Sequence, residues 1–171
     1  TDPPFNYLRD RMSEAGIIVM MNGIVRNNTH RPLNTEEFRA FTIIDRYAPL
    51  IFINATDSIS GRLFSLLHEF VHICFGVDNL YNDTHNTYKG VSKLETLCKA
   101  VAAEILVPAS QFNLTWKVFS SQSSSIQETI SKVAHFFKCG HVIVARRALD
   151  AGNISHAMYE EIVREAIQLY K

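Results

Sequence analysis

The sequence has no surplus of either charge: 17 Lys and Arg stand against 17 Asp and Glu. No global field therefore draws the chain toward nucleic acid or an anionic membrane. It contains no apolar run of membrane-spanning length, and its first residues do not read as a secretory leader. The cysteines are few and odd in number (Cys74, Cys98, Cys139), which gives no disulfide framework and points to a reducing compartment, the cytoplasm. Internal repeats and low-complexity stretches are absent. What is present is the composition of a globular protein, 47% hydrophobic and 20% charged, with 171 residues to build a core from. The expectation is a core domain over residues 1–119 with a helical unit, 120–171, packed on it. The opening Thr1-Asp2-Pro3-Pro4 lacks an initiator Met, which suggests a chain processed or cut from something longer.

Within an apolar run, Leu66-Leu67-His68-Glu69-Phe70-Val71-His72 spells H-E-x-x-H. Residues four apart share one face of a helix, so His68 and His72 can aim two imidazole nitrogens at one ion. Glu69 lies beside them, where a carboxylate can take a proton from water polarised by that ion. This is the zinc metallopeptidase pattern, with the Glu as base and not as ligand. Leu63, Leu66, Leu67, Phe70, Val71 and Ile73 supply the apolar surface of a buried helix. Ser60 is the expected cap and Gly76 the expected stop. Two histidines and a glutamate can share a helix by chance. Burying all three without compensation is costly, however, and a divalent cation compensates them together.

Around this helix, residues 5–15 read as a short amphipathic helix and 17–25 as one β-branched strand. The polar stretch 27–34 reads as a loop. Residues 38–44 and Leu50–Asn54 read as the strands of an antiparallel hairpin. Residues 76–90 look structureless. As they follow the histidine helix, Tyr81, His85 and Tyr88 are candidates for stabilising an oxyanion, with nothing to choose among them. A strong helix spans 92–106, its expected apolar face made of Leu94, Leu97, Cys98, Val101, Ala102 and Ile105. Helices are expected over 126–137, through Leu149, and from Ser155 to Tyr170. The pair within 126–149 outlines a helix-turn-helix, but ordinary helix packing explains it better, and direct nucleic-acid binding is not expected.

A third ligand has two candidates on the 92–106 helix, Glu95 and Glu104. Each lies roughly 80–100° from the centre of the expected apolar face, on opposite flanks, so helical phase does not decide. Ser92 and Glu95 also match a capping box, and Glu104 reads equally as a solvated flank residue.

The chain resembles the ImmA/IrrE family of intracellular zinc metallopeptidases. Arg62-Leu63-Phe64-Ser65-Leu66-Leu67-His68-Glu69-Phe70-Val71-His72 is similar to its R-x-F-T-L-A-H-E-x-x-H block. The run from Glu95 to Pro108 is similar to its E-x-x-A-N-x-F-A-A-x-L-L-M-P signature, and Pro49 to Asn54 to its P-x-I-x-x-N strand. Lys99 departs from the family's usual Asn, and Ser65 and Leu67 from its Thr and Ala. The resemblance implies an α+β zincin-like domain: a small, mainly antiparallel sheet, an HExxH helix and a helical C-terminal unit. It implies that the zinc-binding Glu is Glu95, completing a set with His68 and His72. It also implies a protein substrate, an Xre-type helix-turn-helix repressor, and a DNA-binding domain upstream in the same natural chain.

The expected activity is zinc-dependent endopeptidase cleavage that relieves repression, with Zn2+ as cofactor, Glu69 as base and no membrane partner. The strand Leu50–Asn54 is the expected partner for an extended substrate by β-augmentation. The alternative is a metal-binding regulatory or interaction module with weak or no proteolysis. Retention of Glu69 argues against it, since a purely structural zinc site has no use for a base.

Overall fold

Residues 3–26, 28–76, 79–81 and 93–169 are described by a computed structural model. The chain divides into two compact units, Thr1–Ala102 and Ala103–Lys171. The first unit is α+β. Helix α1 (Pro3–Glu14) precedes β1 (Ile18–Asn22), β2 (Ile24–Val25), β3 (Asn28–Pro32), β4 (Ala40–Ile43) and β5 (Leu50–Asn54). Helix α2 (Ile59–Phe75), β6 (Asn79–Tyr81) and the first part of α3 (Lys93–Leu106) follow.

Four strands form the main sheet, in the order β1-β5-β4-β6. β1 runs parallel to β5, while β4 pairs antiparallel with both β5 and β6. The sheet is therefore mainly antiparallel. β5 is hydrogen-bonded on both sides, which overturns the expectation that it receives an extended substrate. It has no open edge to offer.

Alternation along the strands separates two faces. Ala40, Thr42, Ile51 and Ile53 are buried, and both β4 and β5 pack against α2. The other face carries larger apolar groups. Phe41 stacks on Phe52 at 5.1 Å, and Phe38 tilts against both rings. Ile18, Met20 and Ile43 remain about half exposed there. On β4 the residues of the buried face, Ala40 and Thr42, are small, while β5 contributes the larger Ile51 and Ile53.

Three elements differ from the sequence reading. The expected strand 17–25 breaks at Gly23, where Asn22 Oδ1 accepts the backbone amides of Gly23 and Ile24. The expected loop 27–34 contains β3, which pairs antiparallel with β2. All five β3 residues are exposed, so no hydrophobic alternation could mark them. Within 76–90, β6 pairs with β4.

The second unit is helical: the end of α3, then α4 (Ala109–Ser120), α5 (Ile126–Phe137), α6 (His141–Asp150) and α7 (His156–Leu169). Phe112 and Trp116 of α4 join Ile130, Val133, Val144, Ala145, Ala148 and Ile162 in one core. This places α4 with the C-terminal helices, in the compact unit that begins at Ala103. No helix among the described residues is long and apolar enough to cross a membrane.

Candidate metal centre and active site

The histidine helix is fixed at both ends. Its N-cap is Ser58, not Ser60: the Ser58 hydroxyl accepts the Gly61 amide at 3.1 Å. Asp57 accepts the Ser58 amide at 2.7 Å and both contacts of the Arg39 guanidinium at 3.1 Å. Arg39 leads directly into β4, so this ion pair ties the sheet to the start of α2. The helix ends at Gly76, whose φ of 68° is left-handed and whose amide bonds His72 and Ile73 carbonyls.

Between these ends, His68 and His72 are fully buried. Their Nε2 atoms lie 3.1 Å apart. Glu95, on α3, places Oε1 3.1 Å from His72 Nε2 and Oε2 3.4 Å from His68 Nε2. One donor atom from each of the three residues falls within 4.8 Å of the others. Burial holds the His72 imidazolium below its usual range, with Glu95 partly opposing the shift. Phe64, one turn before His68, stacks near its ring with centroids 6.2 Å apart. Cys98, fully buried on α3, sets Sγ 3.9 Å from His72 Nδ1. Burial, then the charges of Glu95 and Glu69, push that thiol up to about 11.

Glu69 is completely buried. Thr42, on β4, donates its hydroxyl to Glu69 Oε2 at 2.5 Å. Glu69 Oε1 has no hydrogen-bond partner among the described residues. Burial raises the Glu69 carboxyl to about 8, against the lowering effect of the Thr42 hydrogen bond, and the Glu95 charge adds to the rise.

The structure separates the two candidate carboxylates. Glu95 sits with the histidines. Glu104 accepts the Ala109 amide at 3.0 Å and pairs with Arg147 within the helical unit. The covered face of α3 runs through Cys98 and Ala102, whereas Leu97 and Ile105 are each 46% exposed. The expected apolar face was therefore rotated, and Glu95 lies one turn before Cys98 on the face that is covered. Of the oxyanion candidates, His85 and Tyr88 lie outside the described residues, as does Ser92 of the expected capping box. Tyr81 belongs to β6, its backbone opposite Ala40. The sequence alone assigns Thr42, Phe64 and Cys98 no place at the site. The one available signal was a hydroxyl residue between Phe41 and Ile43 in a strand.

Two imidazole nitrogens and a carboxylate oxygen form a donor set suited to a divalent ion such as zinc. A buried carboxylate oxygen lacking a partner, beside such a set, fits an ion whose charge compensates the burial.

The model of the IrrE N-terminal-like domain family (Peptidase_M78) matches residues 14–149. The chain belongs to this family. The resemblance to ImmA/IrrE metallopeptidases is thereby borne out, as is the α+β fold class. The IrrE-like match takes in both helices that carry the clustered residues and leaves α7 outside. A 63-residue stretch is 40% identical to the radiation response metalloprotease IrrE of Deinococcus radiodurans. The alignment covers 34% of this chain and 19% of that protein, so the chain spans only about a fifth of that relative.

Proposed function

We propose that the chain is a zinc-dependent endopeptidase in which His68, His72 and Glu95 hold the ion and Glu69 is the general base. The observation that carries this reading is the convergence of three donor atoms within 4.8 Å beside a buried carboxylate. Among the described residues three donors converge, the number that suits a catalytic zinc with a position kept open.

When bound, the ion supplies Lewis-acid polarisation of the scissile carbonyl and of the attacking water. The chain's own residues do the proton work. Glu69 Oε1 accepts the proton that water gives up as its oxygen attacks the carbonyl carbon. The same oxygen returns that proton to the amide nitrogen as the C–N bond breaks. A cation at the three donors favours the ionised form of Glu69, the form a base requires. Burial on the α2 face keeps bulk water from screening these charges.

The proposed substrate is an Xre-type helix-turn-helix repressor, cleaved to relieve repression in the cytoplasm. This finer assignment rests on the family resemblance and on the peptidase name that the related IrrE carries. The test is to incubate the zinc-loaded protein with the repressor encoded beside it and read the products by mass spectrometry. A single new cleavage, absent with chelator, supports the reading. An intact repressor, with zinc retained, rejects that substrate.

A further inference from the structure

Glu69 and Thr42 form a buried side-chain pair at the site that neither the motif nor the ligand set explains. Thr42 is 3% exposed and Glu69 is 0% exposed. The Thr42 hydroxyl also lies 3.3 Å from the Glu69 carbonyl oxygen, but the carboxylate oxygen at 2.5 Å is much the better acceptor. One oxygen of the carboxylate is thus occupied, and the other is left without a partner among the described residues.

We propose that Thr42 is a positioning residue: its hydroxyl holds Glu69 Oε2, so that Oε1 alone is presented as the proton acceptor. The inference rests on the peptidase reading of Glu69. A free carboxylate on a helix samples a broad, roughly two-fold terminal torsion. A donor fixed to a strand removes that freedom. Sheet register sets the donor's place, because Thr42 pairs with Ile51 on one side and Asn79 on the other. A slip of one residue would offer the large apolar Phe41 or Ile43 to the carboxylate instead. The fold therefore brings the orienting group from β4, an element remote in sequence from α2.

The experiment compares Thr42→Val, which keeps the shape and removes the hydroxyl, with Thr42→Ser, which keeps the hydroxyl. Turnover is read on a fluorescence-quenched peptide mixture. Zinc affinity is read by competition with a chromogenic chelator. The Glu69 carboxylate stretch is read as an infrared difference against Glu69→Gln, in both the wild-type and the Thr42→Val background. For Thr42→Val, kcat falls about 10- to 100-fold with KM within about 2-fold, the effect of losing one hydrogen bond to a charged group. Zinc affinity stays within about 2-fold, the carboxylate band shifts, and Thr42→Ser restores most of the turnover. Wild-type kcat in Thr42→Val overturns the proposal. So does a loss of zinc affinity that Thr42→Ser fails to rescue, since Thr42 would then serve the fold. If wild type cleaves nothing, the peptidase reading fails separately. The infrared band still decides on Thr42: an unshifted band in Thr42→Val shows that the hydroxyl does not hold the carboxylate.

Discussion

His72 Nε2 and Glu95 Oε1 stand 3.1 Å apart although one belongs to α2 and the other to α3. That contact makes Glu95 different from Glu104, which is committed to the Ala109 amide and to Arg147. Removing Glu95 takes a donor from the proposed ion site. Removing Glu104 frees the start of α4 and leaves the three-residue cluster whole. Glu95→Ala is therefore expected to weaken zinc by more than the 10- to 100-fold or so that loss of an outer partner costs. Glu104→Ala is expected to bind zinc as wild type does. Chelator competition on both variants, with helix content checked by circular dichroism, decides. Normal zinc affinity in Glu95→Ala would remove it from the ligand set.

Glu69→Gln should retain zinc and lose hydrolysis. The amide oxygen can still accept the Thr42 hydroxyl, so the buried site keeps its hydrogen bond, but the amide cannot take up a proton. A general base contributes roughly 10²- to 10⁴-fold, and kcat should fall within that range. Zinc content equal to wild type, measured by elemental analysis, must accompany the loss. A variant that cleaves at the wild-type rate would assign the base elsewhere.

The parts of the site legible in the sequence were those set by helical period. His68 and His72 needed only a spacing of four, and Gly76 only its left-handed φ. Other parts depended on what packs against what. Glu95 could not be placed by phase because Leu97 and Ile105, which look like core, are exposed, and the covered face follows Cys98 and Ala102. Thr42 was hidden because its neighbours Phe41 and Ile43 look like the inward face of β4 and are the outward one. β3 was hidden for a simpler reason. Asn28, Thr29, His30, Arg31 and Pro32 are all exposed, so pairing with β2 leaves no trace in hydropathy.

Gly61 should not tolerate a side chain. A Cβ there would stand 2.5 and 2.6 Å from the two Asp57 carboxylate oxygens. Asp57 cannot easily swing away, being held by Arg39 and by the Ser58 amide. Alanine in place of glycine normally favours a helix by about 1 kcal/mol. Overpacking against a pinned group costs about 1–3 kcal/mol, and is expected to win. Gly61→Ala should therefore lower the stability measured by urea unfolding. In an Asp57→Ala background the same change should be neutral or stabilising, because the obstacle is gone. Equal effects in both backgrounds would show that the close approach is not the cause.

Glu128 accepts Lys132 Nζ at 2.9 Å, and the amide and hydroxyl of Ser124 at 2.7 and 2.9 Å. Ser125 caps the same helix by accepting the Glu128 amide at 3.1 Å. Lys132 first, then the two Ser124 donors, hold the Glu128 carboxyl down to about 2, from an ordinary value of 4.5. The folded state therefore binds this proton less readily than the unfolded chain does. Stability from the charged form is fully present above about pH 4.5 and is lost as the pH falls toward about 2. Because the group is exposed, the effect is set by the local cap and is reduced by salt. Thermal melts of wild type and Glu128→Gln should differ above about pH 4.5, with wild type the more stable, and should converge as the pH approaches about 2. The difference isolates Glu128 from other carboxylates that titrate in the same window. A gap that stays constant with pH would show that the charge of Glu128 does not support the start of α5.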